Sequence, residues 1–179
     1  MSVRSAFLVA GSLLVAVAAL SAQSAPAAPK PGPEHRRLEV FVGKWTGTGK
    51  SLASPYGPAG SVSSTDTYEF LPGGFFVAHH WDVKQGATII KGMEVMGYDA
   101  RSKTYTSTFF DNAGNTGVFK GSVQGDTWTW TGDSEVGGKP LKERCTSDMA
   151  GGGYIAKCEY SSDGTKWMPN FDVKNTKSK

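Results

Sequence analysis

From Gly43 onward this 179-residue chain is broken by short clusters of Gly, Pro, Asn and Asp, and nothing between them is long enough to be a crossover helix. The connections are Leu71-Pro72-Gly73-Gly74, Gln85-Gly86, Asp99 to Lys103, Gly125-Asp126, Gly137-Gly138 and Ser162 to Lys166, with a longer one at Ser54 to Gly60. Parallel strands need a crossover of about a dozen residues or more, whereas antiparallel strands join through two. The segments between these turns alternate in polarity and are rich in Thr, Val, Tyr, Phe and Trp, the pattern of half-buried strands. The spacing predicts strands at 44–51, 61–70, 75–84, 88–98, 104–111, 116–124, 127–135, 140–148, 153–161 and 167–174. A meander of that length does not lie flat, and closure removes its exposed edges. The expected fold is all-β: a ten-stranded antiparallel up-and-down barrel. A short N-terminal helix is expected over 34–42, where Leu38, Phe41 and Val42 recur at helical spacing and Gly43 ends the run.

Composition agrees. Glycine numbers 23, charged residues are only 20%, and Phe 9, Tyr 6 and Trp 5 exclude a disordered chain. A formal net charge of +3 with no basic stripe argues against a nucleic-acid partner.

Four divisions follow. Residues 1–24 have the layout of a signal peptide: Arg4, an apolar run from Ala6 to Leu20, then small residues, with cleavage expected after Ala22 or Ser24. The apolar run falls short of the roughly 20 residues a spanning helix needs, so no stable membrane insertion is expected after cleavage. Residues 25–33 form a Pro/Ala-rich leader, 34–174 the barrel, and 175–179 a disordered basic tail. The protein is expected to be exported, either periplasmic or secreted.

Cys145 and Cys158 are symmetric about Gly151-Gly152, which reads as a two-residue hairpin loop. That register sets them opposite one another on neighbouring strands, within reach of a disulfide. Two free buried thiols are the competing reading. The same register pairs Arg144 with Glu159 on the surface.

Alternation places Phe75, Val77, His79, Trp81 and Val83 on one face, and Trp128 with Trp130 on the same face of their strand. Ten strands enclose more room than side chains need. The candidate ligand contacts are therefore Trp81, His79, Tyr105, Phe109, Trp128 and Trp130, with Glu143 as the inward polar anchor. Glu94 faces the lumen or solvent depending on a bulge. Each ring has a plainer role open to it, as core filling. A lone inward histidine such as His79 is more often a hydrogen-bonded core residue than a ligand.

The stretch Leu38 to Gly49 (LEVFVGKWTGTG) resembles the Gly-x-Trp opening of calycin barrels. Gly92 to Asp99 (GMEVMGYD), Thr104 to Gly117 (TYTSTFFDNAGNTG), Gly125 to Gly132 (GDTWTWTG) and Tyr160 to Trp167 (YSSDGTKW) are similar to the DUF1579 family, from about Glu34 to Val173. The resemblance implies a lipocalin-like, ten-stranded barrel similar to nitrobindin. Nitrobindin-like proteins bind haem through a histidine near the C-terminal end of the barrel. The histidines here are His35, His79 and His80, so that ligand has no counterpart and no cofactor is expected.

Gly47-Thr48-Gly49-Lys50-Ser51 lacks the first glycine and the following helix of a phosphate-binding loop. His79 and His80, adjacent on a strand, point to opposite faces and cannot share a metal. No nucleophile elbow or triad order is present, so no catalytic residue is expected. The leading expectation is a non-catalytic barrel binding a small apolar molecule. The alternatives are an enzyme working through Glu143 or His79 and a protein-interaction module with a dry, packed interior.

Overall fold

The computed structural model describes residues 28–178, so the expected signal peptide lies outside the described residues. The chain opens with a five-residue helix, α1 (Pro33–Arg37), continued by a 3-10 turn over Leu38–Val40. Ten strands follow: β1 (Gly43–Ser51), β2 (Gly60–Phe70), β3 (Phe76–Gln85), β4 (Thr88–Asp99), β5 (Thr104–Asp111), β6 (Thr116–Gln124), β7 (Thr127–Val136), β8 (Lys139–Asp148), β9 (Gly153–Ser161) and β10 (Met168–Lys177). Each pairs antiparallel with its sequence neighbours, and β1 closes on β10 to complete the barrel.

The helix and 3-10 turn plug one end. Leu38 and Phe41 enter the barrel beside Trp45, Tyr68, Val77, Met96, Tyr105, Trp128 and Tyr154, forming the core cluster. The Trp45 indole donates to the Phe41 carbonyl at 2.6 Å, so the first strand and the plug are tied through a buried hydrogen bond. Arg37 reaches across to the Gly125 carbonyl at 3.1 Å, and the Tyr105 hydroxyl donates to the Glu34 carbonyl at 3.1 Å. Phe41 packs edge-on against Trp128 with ring centroids 5.0 Å apart.

Two expectations are corrected. The last strand was expected to end at 174 with a disordered tail beyond, yet β10 runs to Lys177. Barrel closure supplies the reason: Trp45 to Gly47 pair with Lys177 to Asn175, and Asn175 is 3% exposed. The Lys177 ammonium also lies 5.3 Å above the Trp45 ring. The β8–β9 connection is not a two-residue loop. It is a 3-10 turn over Ala150–Gly152, with Gly151 and Gly152 at φ 80 and 79, and the flanking register is nonetheless as expected. Cys145 pairs with Cys158 and the two are joined by a disulfide, Cα atoms 4.1 Å apart. Arg144 and Glu159 meet at 2.6 Å. No helix of the described residues is long and apolar enough to cross a membrane.

Candidate functional site

Above the plug the barrel interior changes character. Inward residues around the plug are almost fully buried, but Trp81, Phe109, Phe119 and Trp130, further along, are only half-buried. Each of these four rings lies across a glycine on the neighbouring strand. Trp81 pairs with Gly92, Phe109 with Gly117, Phe119 with Gly132 and Trp130 with Gly121. A Cβ at any of those glycines would come closer than 3.0 Å to the facing ring. The glycines therefore let the rings press against the wall, as aromatic rescue of a glycine does in sheets. Each ring lies over its glycine, against the inner wall.

At the boundary between plug and lumen sits a polar cluster. The His79 Nε2 contacts Asp66 Oδ1 at 3.0 Å and its Nδ1 contacts Glu94 Oε1 at 2.8 Å. Ser64 donates to Asp66 Oδ2 at 2.7 Å, and Ser107 donates to Glu94 Oε2. The Tyr68 ring stacks on the imidazole with centroids 3.7 Å apart, and its hydroxyl meets that of Tyr154 at 3.3 Å. Burial alone would drive the His79 proton off, but hydrogen bonds and charge from Asp66 and Glu94 outweigh it and hold the pKa above its ordinary value. Burial likewise opposes the Glu94 carboxylate, and the His79 hydrogen bond and charge, with the Ser107 bond, lower its pKa. Two ring nitrogens each facing a carboxylate oxygen call for an imidazolium, with both N–H groups donating. Burial, together with the neighbouring Tyr154, Asp66 and Glu94, raises the Tyr68 phenol well above its usual range.

At the opposite end from the plug, Tyr56 from the 52–59 connection bends over β7 and β8. Its hydroxyl donates to Glu143 Oε1 at 2.7 Å and shares a 2.8 Å bond with Ser134. Its pKa is pushed up, chiefly by burial. Two shallow depressions of about 310 and 260 Å³ lie mainly along the outer wall, one on β2–β4 and one on β8–β10, apart from the His79 cluster.

The structure thus divides the residues singled out from sequence. Trp81, Phe109 and Trp130 lie half-buried on the inner wall of the unplugged half. Tyr105 and Trp128 belong to the core cluster around the plug. His79 lies between the two groups, 5.1 Å from the Trp81 ring, and Glu143 stands at the mouth under Tyr56. Glu94, left open between lumen and solvent, is inward and next to His79, while Asp66 and Phe119 carried no individual signal. The turn is Gly86-Ala87, with Gln85 paired to Thr88, and it sets Glu94 directly opposite His79; a loop read at Gln85-Gly86 sets Gly92 there instead, which is why the sequence left Glu94 open.

The three histidines are placed in different surroundings. Both His79 nitrogens are engaged by carboxylates, His80 is exposed on the outer face, and His35 Nδ1 accepts from the Gly32 amide in the plug. Asp66 and Glu94 flank the ring on opposite sides and do not converge. Among the described residues, no group of three His, Cys, Asp or Glu side chains is arranged to hold a metal.

A closed, plugged ten-strand barrel with an aromatic-rich interior defines a lipocalin-like protein. Solved structures of similar fold include Rv2717c from M. tuberculosis, with 12% identity, TM-score 0.59, and coverage of 83% of this chain and 99% of that one. The S-type phycobiliprotein lyase CPES from Guillardia theta matches at 12% identity and TM-score 0.52, over 82% of this chain and 93% of its own. Residues 30–160 match the model of DUF1579, described as a protein of unknown function, and the chain belongs to that family. No curated protein matches it.

Proposed function

We propose that this protein is an exported, non-catalytic carrier that binds a small, largely apolar molecule in the barrel lumen. The observation that carries the reading is the set of four rings seated on glycines at the unplugged end. A dry barrel would be filled by bulky side chains meeting across its axis, not by rings drawn back to its wall. Trp81, Phe109 and Trp130, with Phe119, are the proposed contacts; Trp128 and Tyr105 support them from below. His79 acts as an internal tie between β2, β3 and β4, since its nitrogens are occupied. Export rests on the cross-strand disulfide, which persists in oxidising compartments, and on the N-terminal sequence.

The test is native mass spectrometry of protein recovered from an exported preparation, together with titration by the neutral probe N-phenyl-1-naphthylamine. A co-purifying small mass, or saturable one-to-one probe binding weakened by Trp81→Ala, is the expected result. An apo mass with no saturable binding would refute the carrier and favour a packed interaction module.

A further inference from the structure

The lumen wall is chemically one-sided. From plug to mouth, the Asp, Glu and His side chains at inward strand positions are Asp66, His79, Glu94 and Glu143, with Asp111 at the end of β5 opposite Gly92, where it accepts from Ala113 and Asn115. Of the inward lysines among the described residues, Lys177 lies over Trp45 at the plugged end and Lys139 is exposed at the tip of the β7–β8 hairpin. Arg144 faces outward, paired with Glu159. Four carboxylates and one imidazolium leave the inner wall with net negative charge, although the whole chain carries a formal +3.

The charged groups are one-sided in their hydrogen bonding too. Both His79 N–H groups, the Ser64 and Ser107 hydroxyls and the Tyr56 hydroxyl are directed at carboxylates. A carboxylate accepts about four hydrogen bonds, so the charged groups with capacity left over are acceptors, and the donors beside them, the Trp81 and Trp130 indole N–H groups, are neutral. Glu94 is the member of the cluster that solvent reaches, its side chain 21% exposed against 9% for Asp66. Rings flank it: Phe109 is its direct cross-strand partner on β5, and Trp81 lies 6.4 Å from Phe109 by ring centroids. A carboxylate beside two aromatic faces suits an organic cation, which gains from the charge and from the ring quadrupoles together.

We propose that the lumen selects a ligand with a protonated amine or comparable cationic donor on an apolar body, seated at Glu94 beneath Trp81 and Phe109. This rests on the carrier reading above and names the ligand class of that same site. A fatty carboxylate would instead face Glu94 across a poorly solvated gap with no cationic group to meet it.

The experiment displaces N-phenyl-1-naphthylamine from the full protein at pH 7 with a matched set: decylammonium, decanol and decanoate. Decylammonium should bind roughly tenfold or more tightly than decanol, with decanoate weakest, as expected for an unshared charge placed against a partly buried one. The positive chain as a whole attracts the anion, so this order points to a local carboxylate, and its loss in Glu94→Gln assigns it to the lumen and not to Asp82, Glu159 or Asp172 in the outer depressions. Glu94→Gln should bring decylammonium to within about twofold of decanol, while Glu143→Gln, at the mouth, has the smaller effect. Decanoate binding as tightly as decylammonium overturns the proposal and leaves the carrier intact. Failure of all three and of the neutral probe removes the carrier itself, and the proposal with it. The wild-type order can overturn the proposal even if Glu94→Gln does not fold.

Discussion

Replacing His79 with leucine tests whether the buried cluster is an ion pair or only a packing arrangement. The imidazole is 8% exposed and holds Asp66 at 3.0 Å and Glu94 at 2.8 Å. Leucine fills a comparable volume but leaves two carboxylates with only Ser64 and Ser107 as partners. Removing one member of a buried pair costs about 3–5 kcal/mol, because the remaining charge is uncompensated. Here two charges are orphaned, while added apolar burial returns part of the loss. A net loss of about 3 kcal/mol at pH 7 follows, or a urea midpoint lower by roughly 1–2 M for a domain of this size. Tryptophan fluorescence reads the transition. A loss under about 1 kcal/mol would refute the ion-pair account.

The pH dependence separates this cause from lost packing. The folded pKa of His79 is raised, so its contribution is complete below the ordinary imidazole value of 6.5 and is lost as pH rises through the folded value. The folded pKa of Glu94 is lowered, so its contribution is complete above the ordinary 4.5 and is lost as pH falls through the folded value. Stability of the parent protein should therefore be greatest between about pH 4.5 and 6.5, falling on both sides. In His79→Leu the cation is gone and burial, opposed only by the Ser107 hydrogen bond, raises the Glu94 pKa. Stability of the variant should then increase as pH drops from 7 toward 5, with the alkaline decline absent. A variant weakened equally at every pH would show that the ring contributes packing only.

Other perturbations reach other parts of the barrel. Replacing Cys145 and Cys158 together with serine opens a loop of sequence separation 13, whose closure contributes about 3 kcal/mol on the chain-entropy model; equal urea midpoints with and without reductant would refute it. Gly121→Ala places a Cβ 2.5 Å from the Trp130 ring, and the ring must leave the wall. A cost of about 1–3 kcal/mol and weaker probe binding are expected, and unchanged binding would mean that Trp130 does not bound the free space. Tyr56→Phe removes the hydroxyl shared by Glu143 and Ser134; global stability should fall by less than about 1.5 kcal/mol, while hydrogen exchange in residues 52–59 speeds up markedly.

Much of the barrel was readable because its strands are punctuated so densely. Each hairpin fixes the sum of paired residue numbers, and the arithmetic that joined Cys145 to Cys158 also joins Trp81 to Gly92 and His79 to Glu94 once the turn is placed at Gly86-Ala87. The ring-on-glycine contacts were thus present in the sequence as pairs. What the pairs alone did not reveal is their consequence, since a glycine opposite a tryptophan can equally mark a bend or a bulge. Asp66 was harder to place. It pairs in register with Trp81, so its bond to His79 is diagonal and depends on barrel twist. The end of β10 was obscured by composition, because lysine-rich ends usually fray. Only the β1 partner explains the ordering of Asn175 to Lys177, and closure is a property of the whole sheet.

The distribution of glycine also bears on what the barrel is for. Glycine within a strand weakens it by roughly 0.5–1 kcal/mol relative to alanine, through lost packing and a more flexible unfolded chain. Gly92, Gly117, Gly121 and Gly132 all occupy inward positions around the unplugged half, each beneath a ring. Around the plug, the inward positions carry Trp45, Tyr68, Val77, Met96, Tyr105, Trp128 and Tyr154 and pack densely. If stability alone governed the interior, alanine or valine at those four sites with smaller opposing residues would fill it as well and hold the strands more firmly. Four glycines under four rings make sense where a smooth, wide aromatic wall is itself required. The plugged half supplies the stability that the other half gives up, and the His79 cluster at their junction ties β2 to β5 where the packing thins.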